Sequence, residues 1–281
     1  MNPPEFNRVV LALDPGGDHE AAIAAAAELA QGLGSGLHVI FLEDESLLDL
    51  ADLALAPHWE LGNLATRSFD RRLMQASFQV QARRAQVWLK EAAGQRGIVA
   101  TCATGRGGSK PGELGLGPGD LLVLEGASRP LAGKIQFGLR SSSRYGAREL
   151  SAGSSLLILR RRFAMHGVIG SVVDGGMGGA LSIRLAARLA SPRDGSLVIL
   201  RRHQAGGPLD PFMLPDFAAS RVRCEQLIAP ESGHGIAQRF TELQCELVIL
   251  SEDLVDAATA SVVLAETRCN VMILRQSAKE A

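Results

Sequence analysis

Aromatic side chains are scarce in this sequence: one Tyr, two Trp and nine Phe make up 4% of 281 residues. So few rings leave little on which to stack nucleobases, and 29 basic against 30 acidic residues, net charge −1, give no global field to draw nucleic acid or an anionic membrane. Cysteine is equally sparse. Cys102, Cys224, Cys245 and Cys269 contain no Cys-x-x-Cys pair, which excludes a zinc knuckle and a redox motif and predicts small buried hydrophobes in a reducing compartment. The six histidines include no His-x-x-x-His, and no serine stands in a Gly-x-Ser-x-Gly elbow. No apolar run approaches the ~18 residues that span a bilayer, and Met1–Glu5 has no basic n-region. The chain is therefore read as soluble and cytoplasmic, with no membrane insertion and no nucleic-acid partner.

What the sequence does have is an internal repeat. Arg8-Val9-Val10-Leu11-Ala12-Leu13-Asp14-Pro15-Gly16-Gly17 and Gly167-Val168-Ile169-Gly170-Ser171-Val172-Val173-Asp174-Gly175-Gly176 are each a short apolar run closed by Asp and glycines. Asp14 and Asp174, Leu29-Ala30 and Leu189-Ala190, and Leu37 and Leu197 share one offset of 160, so a strand–loop–helix–strand unit occurs twice. Such a unit buries its strands only under helices on both faces. The length fits two α/β units, taken as 1–162 and 163–281.

In the first half, Val9–Asp14 predicts strand one. Helix one runs to Leu33 between an Asp18 N-cap and a Gly34 C-cap. Strands follow at Leu37–Leu42, Ile98–Ala103, Asp120–Glu125 and Ser155–Leu159. Between them Leu64–Ala93 reads as one long helix of about 45 Å, with Phe69, Leu73, Ala76, Val80 and Val87 as its apolar stripe. That stripe exceeds what one sheet face covers and is the candidate surface for a homodimer. The second half predicts a helix near Ser232–Leu243, a degenerate stretch at 205–211 and a last strand at Asn270–Leu274. Gly175-Gly176-Met177-Gly178-Gly179 fails as a dinucleotide fingerprint because Leu181 takes the place of its last glycine.

This pattern, taken twice over, resembles a tandem universal stress protein. The resemblance implies two tandem five-stranded parallel sheets of the adenine-nucleotide-hydrolase-like type, related by a pseudo-twofold and pairing through their last strands. ATP-binding members of that family share Gly-x2-Gly-x9-Gly-Ser/Thr after strand four, where glycines admit backbone N–H groups to phosphates. Here that loop begins Gly126-Ala127-Ser128-Arg129, with Arg129 in place of the second glycine, and Gly138 with Ser141 only approximates its close. In the second half Ser251-Glu252-Asp253-Leu254-Val255-Asp256 has no glycine and three carboxylates, so that site reads as lost.

The candidate cofactor-binding set implied is Ala12, Leu13 and Asp14 at the end of strand one with Gly126, Ser128, Arg129, Gly133, Gly138, Ser141 and Ser142 of the loop. Its ligand would be ATP, AMP or another small anion. No catalytic residue and no metal ligand is assigned. The leading expectation is a non-enzymatic, stress-related regulatory or interaction protein with an unidentified protein partner, whose first half senses that ligand. The alternatives are an ATP-binding universal stress protein with slow hydrolysis, and a ligand-free scaffold or transporter-associated regulatory subunit.

Overall fold

The computed structural model describes residues 6–52, 57–60, 63–68, 70–107, 114–125, 154–160, 167–173, 177–190, 194–202, 221–227 and 232–275. The first half supplies β1 (Arg8–Leu13), β2 (Gly36–Asp44), β5 (Ala100–Gly107), β6 (Asp120–Glu125) and β7 (Ser155–Leu159). Between them stand α1 (His19–Leu33), α2 (Glu45–Asp52), a two-stranded antiparallel ribbon of β3 (Pro57–Glu60) and β4 (Asn63–Ser68), and α3 (Arg71–Arg96). The second half supplies β8 (Val168–Val173), β9 (Ser196–Arg201), β10 (Val222–Gln226), β11 (Cys245–Ser251) and β12 (Asn270–Leu274). Its helices are α4 (Met177–Ala190), α5 (Gly233–Glu242) and α6 (Ala257–Glu266).

Apolar runs such as Leu121–Leu124 have no polar face to offer water, so they settle as strands covered on both sides. Within each half five parallel strands follow the order third, second, first, fourth, fifth. The expected two sheets are instead one ten-stranded sheet, β10-β9-β8-β11-β12-β7-β6-β1-β2-β5. Its halves meet where β12 pairs antiparallel with β7, Val271 opposite Ile158 and Ile273 opposite Leu156. Pairing edge to edge satisfies two rows of backbone donors and acceptors that separate sheets would leave open.

Two apolar layers cover the sheet, and each runs across both halves. One holds Leu11, Leu29, Leu33, Phe41 and Leu89 with Ile183 and Leu189, and the other holds Val10, Leu122 and Ile158 with Phe240, Val248 and Ile273. Arg188 of α4 ties the first layer together by donating from Nε to the Gly32 carbonyl at 3.2 Å and from Nη2 to that of Leu33 at 2.9 Å. These carbonyls belong to the last turn of α1, where a cation meets the negative end of the helix dipole.

The caps of α1 are as the sequence expects: the Asp18 side chain accepts from Ala21 N, and Gly34 takes the left-handed conformation at φ 61°. The long helix differs. It begins at Arg71, where Asp70 caps it by accepting from Arg72 N, and its first expected turns are strand β4. Its buried stripe is Phe78, Ala82, Ala85, Leu89 and Ala92, whereas Leu73, Val80 and Val87 of the expected stripe are 67%, 49% and 64% exposed. Alanines let the helix backbone approach α1 and the sheet closely, so the small residues turn inward. Phe69 lies outside the described residues. The cysteines also differ from expectation: Cys245 and Cys269 are buried, but Cys102 is half-buried and Cys224 exposed. Among the described residues no helix is long and apolar enough to cross a membrane.

Candidate functional site

Parallel strands gather ligands outside their carboxyl ends, and in the first half β1 and β6 end side by side. Their register, with Ala12 opposite Leu124, brings Glu125 level with Leu13 and beside the turn that follows it. Ala12 and Leu13 are themselves buried strand residues in the two opposite apolar layers, so they form the wall of the site. Asp14 is 3% exposed. Its Oδ1 accepts from Gly16 N at 3.2 Å, while its Oδ2 is sealed from solvent without a hydrogen-bond partner among the described residues. A buried carboxylate oxygen in that state costs free energy, so it marks a place where a donor belongs.

Two residues that the sequence does not single out complete this end. His19, the first residue of α1, places Nε2 2.6 Å from the Asp14 carbonyl oxygen and stands edge-on to Phe41, ring centres 5.6 Å apart. Glu125 folds under the N-terminus of α1, so close to the Pro15–Gly17 turn that a β-carbon at Gly17 would collide with its carboxylate. Burial pushes the Glu125 carboxyl above its ordinary pKa, the nearby Asp14 adds to the rise, and the His19 ring and the Asp18 backbone N–H oppose it. Its Oε2 has no partner among the described residues. The only sequence signal for Glu125 is an acid closing the Asp120–Leu124 run directly before Gly126.

The free N–H groups of α1 are the natural seat for an anion. Glu125 sets its carboxyl beside that seat, accepting from the Asp18 backbone N–H, while Asp18 itself caps Ala21 N. A phosphate group placed between Asp14 and Glu125 would meet two carboxyl groups in a partly dry site, so this end does not fit a triphosphate. It fits hydrogen-bond donors, such as the vicinal hydroxyls of a sugar, toward the Asp14 Oδ2. Gly126, Ser128, Arg129, Gly133, Gly138, Ser141 and Ser142 lie outside the described residues, as does Asp174.

The second half opens differently. A crevice of about 290 Å³ lies between the end of β8 and the N-terminus of α6, lined by Val172, Arg202, Leu254 and Thr259 with Glu252, Asp253 and Asp256. Arg202 donates from Nη1 to the Leu254 carbonyl at 2.9 Å, and Asp256 caps α6 by accepting from the Thr259 hydroxyl and from Thr259 N at 2.7 Å, two hydrogen bonds from Thr259 that hold the Asp256 carboxyl below the usual carboxylate range. Glu252 pairs with Arg275 at 3.1 Å. The side chains that close this crevice are thus largely committed to one another, and its rim carries the three carboxylates that oppose a phosphate. Among the described residues no group of three or more His, Cys, Asp and Glu is placed to hold a metal ion.

No protein-family model and no curated protein matches the sequence. Solved structures do. A universal stress protein from Archaeoglobus fulgidus superposes with a TM-score of 0.56 at 12% identity, over 98% of this chain and 99% of that one. The fold is that of a universal stress protein. A functionally unknown protein from Pseudomonas aeruginosa shares this universal stress fold with a TM-score of 0.56 at 14% identity, over 99% of this chain and 95% of that one. Both matches run nearly end to end in both chains, so the universal stress fold accounts for the whole ten-stranded arrangement rather than for one half.

Proposed function

We propose that this chain is a non-enzymatic, stress-related regulatory module whose first half senses a small ligand at the Asp14 end of the sheet. The observation that carries the reading is the sealed Oδ2 of Asp14, partnerless among the described residues, at the carboxyl end of β1. An adenine nucleotide would be held there by its sugar hydroxyls, with its phosphates directed away from Glu125. On this reading the phosphates add little affinity, because Glu125 sets a carboxyl group of the chain itself beside the α1 N-terminus. The acidic rim around Glu252 and Asp256 leaves the second half a structural role.

Titration calorimetry of the full chain with adenosine, AMP and ATP tests this reading. Adenosine and AMP should bind at least as tightly as ATP, and Asp14→Ala should weaken all three by about tenfold or more, the loss of one close polar contact. Steady ATP hydrolysis abolished by one side-chain change would overturn the non-enzymatic reading. Tight ATP binding that Asp14→Ala leaves unaltered would overturn the placement.

A further inference from the structure

Helix α3 carries a second apolar stripe that no described residue covers. Its buried stripe, Phe78, Ala82, Ala85 and Leu89, packs inward at the usual steps of three and four. About half a turn away stand Leu73, Val80 and Val87, each separated from the next by seven residues. These three are 67%, 49% and 64% exposed, and they are three of the five large apolar side chains left exposed among the described residues. A seven-residue step keeps one narrow row facing a partner helix over its whole length, and these three aliphatic residues line up as one of the two rows of such a seam, the other row being Ala76, Arg83 and Lys90. Ala76, also exposed, lies between the first two and admits close approach.

The charge around the seam identifies its occupant. On one flank stand Arg72, Arg83 and Lys90, and Arg84 with Glu91 stand on the other, all exposed. The seam is thus rimmed by four cations and one acid. A second copy of α3 laid parallel would set Arg83 against Arg84 of its partner, with one compensating Lys90–Glu91 pair, and an antiparallel copy centred on Val80 would bring Lys90 beside Arg72. Like charges at such spacings destabilise a helix pair. A bilayer surface is a poorer match as well, since the stripe is one aliphatic side chain wide and carries no aromatic anchor.

We infer that the outer face of α3 is a docking site for an acidic amphipathic helix of another protein, which lays aliphatic residues of heptad spacing along Leu73, Val80 and Val87 and sets carboxylates against Arg72, Arg83 and Lys90. This surface is separate from the Asp14 end and stands whether or not a nucleoside binds there. It gives a regulatory module an output face on an element that also packs on α1, the helix that begins at His19.

The test uses the full chain and a labelled synthetic peptide about four heptads long, with Leu at the seam positions and Glu on both flanks, beside a twin carrying Lys for every Glu. Fluorescence anisotropy at about 0.15 M salt should show saturable binding of the Glu peptide and at least about tenfold weaker binding at about 0.5 M. Leu73→Asp with Val80→Asp and Val87→Asp should abolish binding with an unchanged circular dichroism melt, since these positions face solvent. Arg83→Glu with Lys90→Glu should lose the Glu peptide and gain the Lys twin, a reversal that a general loss of folding cannot produce. Equal binding of both peptides, or no saturable binding of the Glu peptide, would overturn the inference. So would a dimer in sedimentation equilibrium that Val80→Asp dissolves, which would hand the seam to a second copy, or capture by phosphatidylserine vesicles lost in the triple variant, which would hand it to a membrane.

Discussion

The ring of Phe240 fills the space that a β-carbon on Gly170 would need: its Cε1 and Cδ1 would lie 2.5 and 2.7 Å from that atom, with Cys245 Sγ at 3.1 Å. Gly170 stands 160 residues after Val10, so the second half exchanges a strand valine for glycine and lets a phenylalanine of α5 press onto the sheet. Phe240 and Cys245 are wholly buried and have nowhere to retreat. Gly170→Ala should therefore destabilise the chain by about 1–3 kcal/mol, the range for overpacking a close-packed core. Denaturant unfolding checks it, and pairing Gly170→Ala with Phe240→Leu should recover part of the loss.

Asp120 is the polar hinge between β1 and β6. Its Oδ2 accepts from Arg8 Nε and Nη2 at 3.0 and 2.9 Å and from Gly117 N at 2.8 Å, and the residue is 3% exposed. Asp120→Ala strips three donors of one acceptor and should cost roughly 1–3 kcal/mol. Asp120→Asn keeps an acceptor and should cost less; equal thermal midpoints for the two variants would show that the charge, not the hydrogen bonds, matters.

Glu125 makes stability depend on pH. Its pKa is raised by burial, and a carboxyl raised on folding favours the folded state below its unfolded value, then forfeits that contribution as pH rises through its folded value. The sign therefore predicts that Glu125→Gln, which can still accept from the Asp18 N–H, melts above the parent at pH 7 to 8. Below about pH 4 the two should coincide. Melting curves across that range test it, and a constant difference at all pH values would count against a buried carboxylate.

Arg188 should be worth about 1 kcal/mol, as expected of a cation hydrogen-bonded to helix-terminal carbonyls. Because it joins α4 of one half to α1 of the other, hydrogen exchange in Arg188→Ala should accelerate in the last turn of α1 while β11 and β12 stay protected.

Much of the fold is legible in the residues. Strands such as Asp120–Glu125 and Ser155–Leu159 are bounded apolar runs, and Asp18, Gly34 and Ser232 declare their helix ends by side chains suited to caps. The facing of α3 is not legible, because two stripes share that helix and the one with larger side chains points outward. Phe78, Ala82, Ala85 and Leu89 win since small residues bring the helix close to α1. The pairing of β7 with β12 is foreseen only through the family resemblance, for no residue of either strand states which edge it will meet, and that the pairing fuses both halves into a single sheet is not legible at all. At the site, Asp14 announces itself by closing an apolar run, whereas its relation to Glu125 comes from the β1–β6 register across 111 residues of chain.

The antiparallel junction of β7 with β12 sets a limit on what the molecule can grasp. Strands of the first half point one way and strands of the second half the other, so the Asp14 end and the crevice beside Glu252 look out from opposite rims of the sheet. The rims are about 20 Å apart along strands of this length. One small molecule cannot touch both, and neither rim can close over the other like a jaw. Whatever the two rims engage, they engage back to back, as the two poles of a spacer, and any cross-talk has to travel along the six strands from β1 to β8 or through the helices packed on them.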